Sequence, residues 1–150
     1  MPDVTEERTG WRDQGISERH RKYGFDVPAI DIDFVLCEYD HNIPVAIIEH
    51  KNEFAKPQKK NMSGLQALKR LGDMANIPSF CVRYASDFSW FKVAPLNRIA
   101  SKIYPECNNT SGEFLGIELS EIEYVTFLYR LRKSTVPENI LEEVKQLRSA

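Results

Sequence analysis

Three residues define the chemistry this chain could do: Asp33, Glu49 and Lys51. Fifteen residues separate the aspartate from the glutamate, and one separates the glutamate from the lysine. Carboxylate oxygens are hard donors that select ions such as Mg2+ or Mn2+. A neighbouring ammonium is a compact charge with several hydrogen-bond donors. Side by side, these groups could hold a cation and orient a polar ligand. Apart, they are an ordinary solvated sheet end, with Asp31 and Lys51 as a plain cross-strand ion pair. The deciding factor is the set of elements that carries them.

Ile30 to Tyr39 is rich in β-branched and aromatic residues, and Pro44 to His50 carries a second apolar run. Asp40-His41-Asn42 between them are turn formers, so the stretch is expected to be a hairpin. With those three residues as the loop, Tyr39 faces Ile43 and cross-strand positions sum to 82. Asp33 then opposes Glu49 and Asp31 opposes Lys51, all four projecting from one face, with His50 on the other. A loop of two or four residues would break this register. Facing carboxylates are unfavourable by up to about 1 kcal/mol, which Lys51, solvation or a divalent cation would have to offset.

The surrounding elements follow from pattern. Ile16 to Tyr23, starting as early as Trp11, reads as a helix ended by Gly24. Asn52 to Asn61 is a polar, basic loop with a central proline, expected to be mobile and to grip or gate substrate. Ser63 to Asn76 has Leu65, Leu68, Leu71 or Gly72, and Ala75 at helical spacing, with Ser63 as N-cap. Pro78 to Tyr84 reads as a strand parallel to Val45–His50, because a helix crosses over between them. Asp87 to Val93 is a further expected strand, on which Trp90 is expected to pack into the core rather than stack on a base. Ile99, Ile103 and Tyr104 suggest a helical turn, and Asn108 to Gly112 a loop. Ser120 to Lys133 is a helix with a Ser120–Glu123 capping box. Its apolar face is Ile122, Val125, Leu128 and Leu131, helped by Tyr124 and Phe127, and is covered by the last helix or by a second copy in a homodimer. Pro137 starts that last helix, with Ile140, Val144 and Leu147 as its stripe.

An aspartate followed by Glu49-His50-Lys51 at the end of an apolar strand, in α-β-β-α-β order, resembles the core signature of the PD-(D/E)XK, or restriction-endonuclease-like, nuclease superfamily. The run GWRDQGISERHRKYGFDVPAIDIDFVLCEYD is similar to a phage or prophage branch of it. The resemblance implies an α/β fold with a mixed central sheet flanked by helices, here followed by C-terminal helices. It implies metal-dependent hydrolysis of phosphodiesters in nucleic acid, with DNA as the expected partner. Asp33 and Glu49 would ligate Mg2+ (or Mn2+), and Lys51 would orient the attacking water or help deprotonate it. Glu18 on the first helix would be a third acid at the metal, and Gln66 the polar residue that the following helix returns to the site. Residue type alone leaves Glu18 equally readable as an exposed partner of Lys22 at i,i+4, and Gln66 as solvent-facing. Arg19, Arg21, Lys56, Lys59, Lys60 and Lys69 are candidate phosphate contacts. A non-catalytic accessory protein that binds nucleic acid or protein and keeps the nuclease fold would carry the same residues.

Composition bounds this reading. At 150 residues one domain over 1–150 is expected, with 1–10 loosely attached and 120–150 forming C-terminal helices. No apolar run approaches the roughly 20 residues a membrane span needs. The acidic, polar N-terminus is unlike a signal peptide, so a cytoplasmic location is expected. Cys37, Cys81 and Cys107 are odd in number and dispersed, which fits reduced, buried thiols rather than a disulfide frame. A net charge of -2 argues against indiscriminate coating of nucleic acid. Between Lys51 and Arg70, however, six basic residues face one acid, Glu53, while from Glu106 onwards eight glutamates face five basic residues. A phosphate-bearing partner would choose the first face.

Overall fold

The computed structural model describes residues 14–56, 59, 62–105 and 116–149. The chain divides into two compact units, Met1–Asp31 and Ile32–Ala150. In the first, helix α1 spans Gln14–Arg21 and Gly24 follows at φ +97°, a conformation open to a residue without Cβ. His20 Nε2 donates to the Val27 carbonyl at 2.6 Å. The tail 1–10 and a helix start at Trp11 lie outside the described residues.

The second unit is built on a mixed five-stranded sheet with helices on both faces. Its elements are β1 (Phe34–Glu38), β2 (Ile43–Asn52), α2 (Ser63–Ala75), β3 (Ser79–Tyr84), β4 (Phe91–Pro95), α3 (Arg98–Ile103), β5 (Ile117–Leu119), α4 (Glu121–Leu131) and α5 (Glu138–Ser149). Strand order is sequential, β1-β2-β3-β4-β5. Only β2–β3 is parallel, as a crossover through α2 requires, and the other pairs are antiparallel. No helix among the described residues is long and apolar enough to cross a membrane.

The hairpin reaches the expected register by a different route. Phe34, Val35 and Leu36 face Ile48, Ile47 and Ala46, but Cys37 and Glu38 face Pro44 and Ile43, one position out. The turn is four residues long, Tyr39 to Asn42, with Asn42 left-handed at φ 56°. Glu38 closes it by accepting from the backbone N–H groups of Asp40 and His41, contacts that hold its carboxyl below the usual range. The extra turn residue is absorbed by a bulge that leaves Val45 unpaired between Pro44 and Ala46. The strand itself starts at Phe34 rather than Ile30. Asp33 therefore stands just before the ladder, and Asp31 is not in it.

Alternation along β2 and β3 sends side chains into two cores. Ala46, Ile48, Phe80, Val82, Phe91 and Val93 meet Tyr124 and Phe127 of α4 on one face. On the other, Ile47 and Cys81 meet Leu65 and Leu68 of α2, with Leu96. Each fully buried residue of this size contributes about 1.5–3 kcal/mol. Several expectations change here. Met62, not Ser63, occupies the N-cap of α2, and Leu71 and Ala75 are exposed while Gly72 is buried. The buried residues of α4 are Tyr124 and Phe127, with Ile122, Val125, Leu128 and Leu131 only half-buried. The capping box at Ser120 and Glu123 is formed as expected. Trp90 precedes β4 in a turn, half-buried with the Lys92 ammonium 4.6 Å from its ring centre, rather than in the core. Cys37 is exposed, Cys81 is buried, and Cys107 and the expected loop 108–112 lie outside the described residues.

A buried polar knot fixes α2 against the sheet. Ser79 Oγ donates to the Leu68 carbonyl at 3.0 Å, and Asn97 Oδ1 accepts from Ser79 N at 3.1 Å and Ala100 N at 3.0 Å. Asn97 Nδ2 donates to the Ile77 carbonyl at 2.9 Å. A Cβ at position 72 would collide with Ser79 Oγ and Asn97 Nδ2, so only glycine lets the helix approach this closely. Asn97→Ala removes the N-cap of α3 and strands two buried N–H groups. It should lower unfolding free energy by about 3 kcal/mol, measurable by urea denaturation.

Candidate functional site

The candidate site forms where the apolar wall of β2 ends. Ala46, Ile47 and Ile48 are buried, and from Glu49 onwards the strand is half-buried. Glu49 is on the same face as Ile47 and the α2 core, and so is Lys51. In the parallel ladder Glu49 lies beside Cys81 and Lys51 beside Arg83. The C-terminal ends of parallel strands are where open α/β sheets commonly place ligands.

Lys51 Nζ and Glu49 Oε1 form an ion pair of 2.6 Å, with the glutamate side chain 12% exposed and the lysine 31%. Glu49 Oε2 is buried and has no hydrogen-bond partner among the described residues. A buried carboxylate oxygen without a partner costs about 1–3 kcal/mol. The hydrogen bond to Glu49 raises the Lys51 pKa above its ordinary value, with Coulombic help from Glu49 and Asp33 outweighing partial burial. Lys51 is therefore an ammonium at neutral pH.

Asp33 is held by a main-chain contact instead of by pairing across the sheet. Its Oδ2 accepts from the backbone N–H of His50 at 2.9 Å, ending the ladder with a side chain. The expected head-on opposition of Asp33 and Glu49 is thereby relaxed, yet both carboxylates act on the same neighbours, raising the pKa of Lys51 and of the Cys81 thiol. His50 points to the opposite face, as alternation requires. There its Nε2 lies 2.8 Å from Tyr124 Oη, among the rings of Phe34, Tyr84 and Tyr124. Burial lowers its pKa, opposed in part by Asp33, and raises that of Tyr124.

The structure thus brings Asp33, Glu49 and Lys51 together. Gln66 is half-buried in the first turn of α2. Glu18, Arg19 and Arg21 belong to the first unit, where all three are exposed on α1. Lys56 and Lys59 are exposed, Lys69 is half-buried, and Lys60 lies outside the described residues. Among the described residues no three His, Cys, Asp or Glu side chains are gathered to hold a metal ion, so the candidate acids here are a pair. Mg2+ is commonly bound through one or two carboxylates plus waters and substrate phosphates, and the half-used Glu49 beside Asp33 fits that donor set.

Two neighbours were not visible as site residues in the sequence. Cys81 lies beside Glu49, and its thiol is pushed up to about 11, first by burial and then by the charge of Glu49. Arg83 lies beside Lys51 and reaches over the segment that follows β2, donating to the carbonyls of Asn52, Glu53, Ala55 and Lys56 at 2.9–3.5 Å. That segment was expected to be mobile. Residues 52–56 of it are instead tied down. The parallel β2–β3 register decides both placements, and no local pattern encodes it. No protein-family model, curated protein or solved structure matches this chain.

Two measurements test this electrostatic arrangement. In a Cys107→Ser background at pH 8, Cys37 should react promptly with a thiol reagent. Cys81, with about one thiolate in a thousand, should react only after unfolding. Lys51→Met should lower stability at pH 8 by about 1–3 kcal/mol, since it leaves the nearly buried Glu49 carboxylate without its counter-ion. Because the folded pKa is raised, this contribution is complete below pH 10.5 and is lost as pH rises through the folded value. Denaturation midpoints of parent and variant should therefore converge in strongly alkaline buffer.

Proposed function

We propose that this chain is a metal-dependent nuclease of PD-(D/E)XK type, hydrolysing phosphodiesters in nucleic acid, with DNA as the preferred substrate. One observation carries the reading. Glu49 keeps one buried carboxylate oxygen without a partner while the other holds Lys51, at the end of a strand that runs parallel to the next through a crossover helix. A buried carboxylate oxygen left open beside an ammonium can accept from a water or ligate a cation. The α-β-β-α-β order, the Asp33 carboxylate anchored by His50 N–H, and the mixed sheet all agree with it.

Asp33 and Glu49 are the residues that would hold Mg2+ or Mn2+. Such an ion, when bound, lowers the pKa of water and offsets charge on the phosphate. The protein's own groups do the positioning. Glu49 Oε1 holds the Lys51 ammonium in place, and the raised pKa keeps its proton on. Lys51 is placed to orient a water or a phosphate oxygen as a hydrogen-bond donor. His50 N–H fixes the orientation of the exposed Asp33 carboxylate through its Oδ2. Lys56, Lys59 and Lys69 supply positive charge along the chain that follows, where a polyanion gains most. Gln66 is an accessory candidate from α2.

Purified protein incubated with labelled duplex DNA, single-stranded DNA and RNA should cleave in Mg2+ or Mn2+ and not in EDTA. Glu49→Gln and Lys51→Ala should each reduce the rate by a hundredfold or more while the fold is retained. If the parent binds nucleic acid as these variants do and never cuts, the protein is a binding factor on a nuclease-like fold.

A further inference from the structure

The segment immediately after Lys51 spends many hydrogen bonds on presenting one ring to solvent. Phe54 is 83% exposed, one of several large apolar side chains that this chain leaves in solvent. Its backbone is nonetheless held from several sides. Asn52 Oδ1 accepts from Phe54 N at 3.0 Å, and the Asn52 carbonyl accepts from Ala55 N at 2.9 Å, which makes a tight turn beneath the ring. Asn52 Nδ2 donates to Ser86 Oγ at 3.1 Å, and Glu53 Oε1 accepts from Ser86 N at 2.9 Å, tying the turn to the connection after β3. Arg83 then grips the carbonyls on either side of Phe54, at Glu53 (3.1 Å) and Ala55 (2.9 Å), and also that of Lys56 (3.0 Å).

A loop that only connected β2 to α2 would not need this scaffolding, and one that needed the ring for stability would bury it. Ordering the loop beforehand removes an entropic cost that a ligand would otherwise meet on binding. From this geometry we infer that residues 52–56 form a nucleotide-binding finger in which Phe54 stacks on an unpaired base and Lys56 meets a neighbouring phosphate. The inference rests on the nuclease reading and narrows its substrate to nucleic acid with unstacked bases: a single strand, a flap or an end.

Three features favour a base over other occupants. Phe54 is three residues from Lys51, so chain length alone keeps it within about 11 Å of the site. Lys56, two residues on, is exposed and basic, and Lys59 follows, against one acid, Glu53, whose carboxylate accepts from Ser86 N. Aromatic rings spaced among basic residues are the usual means of holding single strands without sequence preference. Arg83 is in this scheme a positioning residue, its fork spent on carbonyls and not on phosphate.

Affinity is read by fluorescence anisotropy in EDTA, where no cleavage occurs, with a dT20 oligonucleotide and a 20-mer of abasic deoxyribose phosphate carrying the same charge. The parent should bind dT20 about tenfold more tightly than the abasic strand. Phe54→Ala should bring that ratio close to one, and Arg83→Lys, which keeps the charge but loses the fork, should do the same. Phe54→Trp should keep the ratio, and its indole emission should be quenched by dT20 but not by the abasic strand. Since Phe54 is exposed, its replacement leaves the fold intact, and circular dichroism checks Arg83→Lys. A ratio that persists in Phe54→Ala overturns the inference, and so does a parent that binds both strands equally. If that parent still cleaves DNA in Mg2+, the nuclease reading stands without the finger and the ring is left to a protein partner. A parent that neither binds nor cleaves overturns both.

Discussion

A glutamate that is nearly buried but only half satisfied is the constraint around which the second unit is arranged. Glu49 is placed by the same alternation that drives Ile47 into the α2 core, so it cannot swing to solvent without disturbing the strand. Lys51 neutralises the charge through one oxygen and leaves the other. In a medium of low polarity that remainder is costly. The sheet bears it because fully buried residues such as Phe80, Ile48, Val82 and Val93 lie just behind it.

The two faces of the sheet divide the work. One carries the broad aromatic packing of Phe91 on Tyr124, with ring centres 4.3 Å apart, and of Phe80 on Phe127 at 5.0 Å. It also takes in His50, whose ring is anchored by Tyr124 while its backbone N–H holds Asp33. The other face is thinner at its C-terminal end, and there Glu49, Lys51, Cys81 and Arg83 come together. Rigid packing on one side thus positions polar groups on the other. The site depends on a histidine that faces away from it.

Irregularities are concentrated where the hairpin and its neighbours must be aimed. A four-residue turn and a bulge at Val45 cancel, so that the strand's outer half keeps the register it would have had with a shorter loop. Gly72 lets α2 sit against Ser79 and Asn97, fixing the crossover that makes β2 and β3 parallel. Each is a local departure from ideal geometry that serves placement further along the chain.

Much of this was legible in the sequence, because it depends on local periodicity. The alternation in β2, the crossover helix and the Ser120–Glu123 capping box follow from spacing and residue type, whereas the juxtaposition of Asp33, Glu49 and Lys51 also needs the bulge that offsets the longer turn. What spacing could not supply was anything decided by a distant partner. The choice of Tyr124 and Phe127 over their helical neighbours as core residues depends on which side of α4 meets the sheet. Trp90 left the core because the chain turns before β4 begins, and β5 forms only because β4 offers it an edge. Cys81 and Arg83 reach the site through a parallel register with residues 32 positions earlier, from Glu49 to Cys81 and from Lys51 to Arg83. Chemical potential was written in the residue types. The half-satisfied carboxylate, the clasped loop and the exposed ring exist only because burial and long-range hydrogen bonds, which no short window of sequence contains, decide which groups find partners.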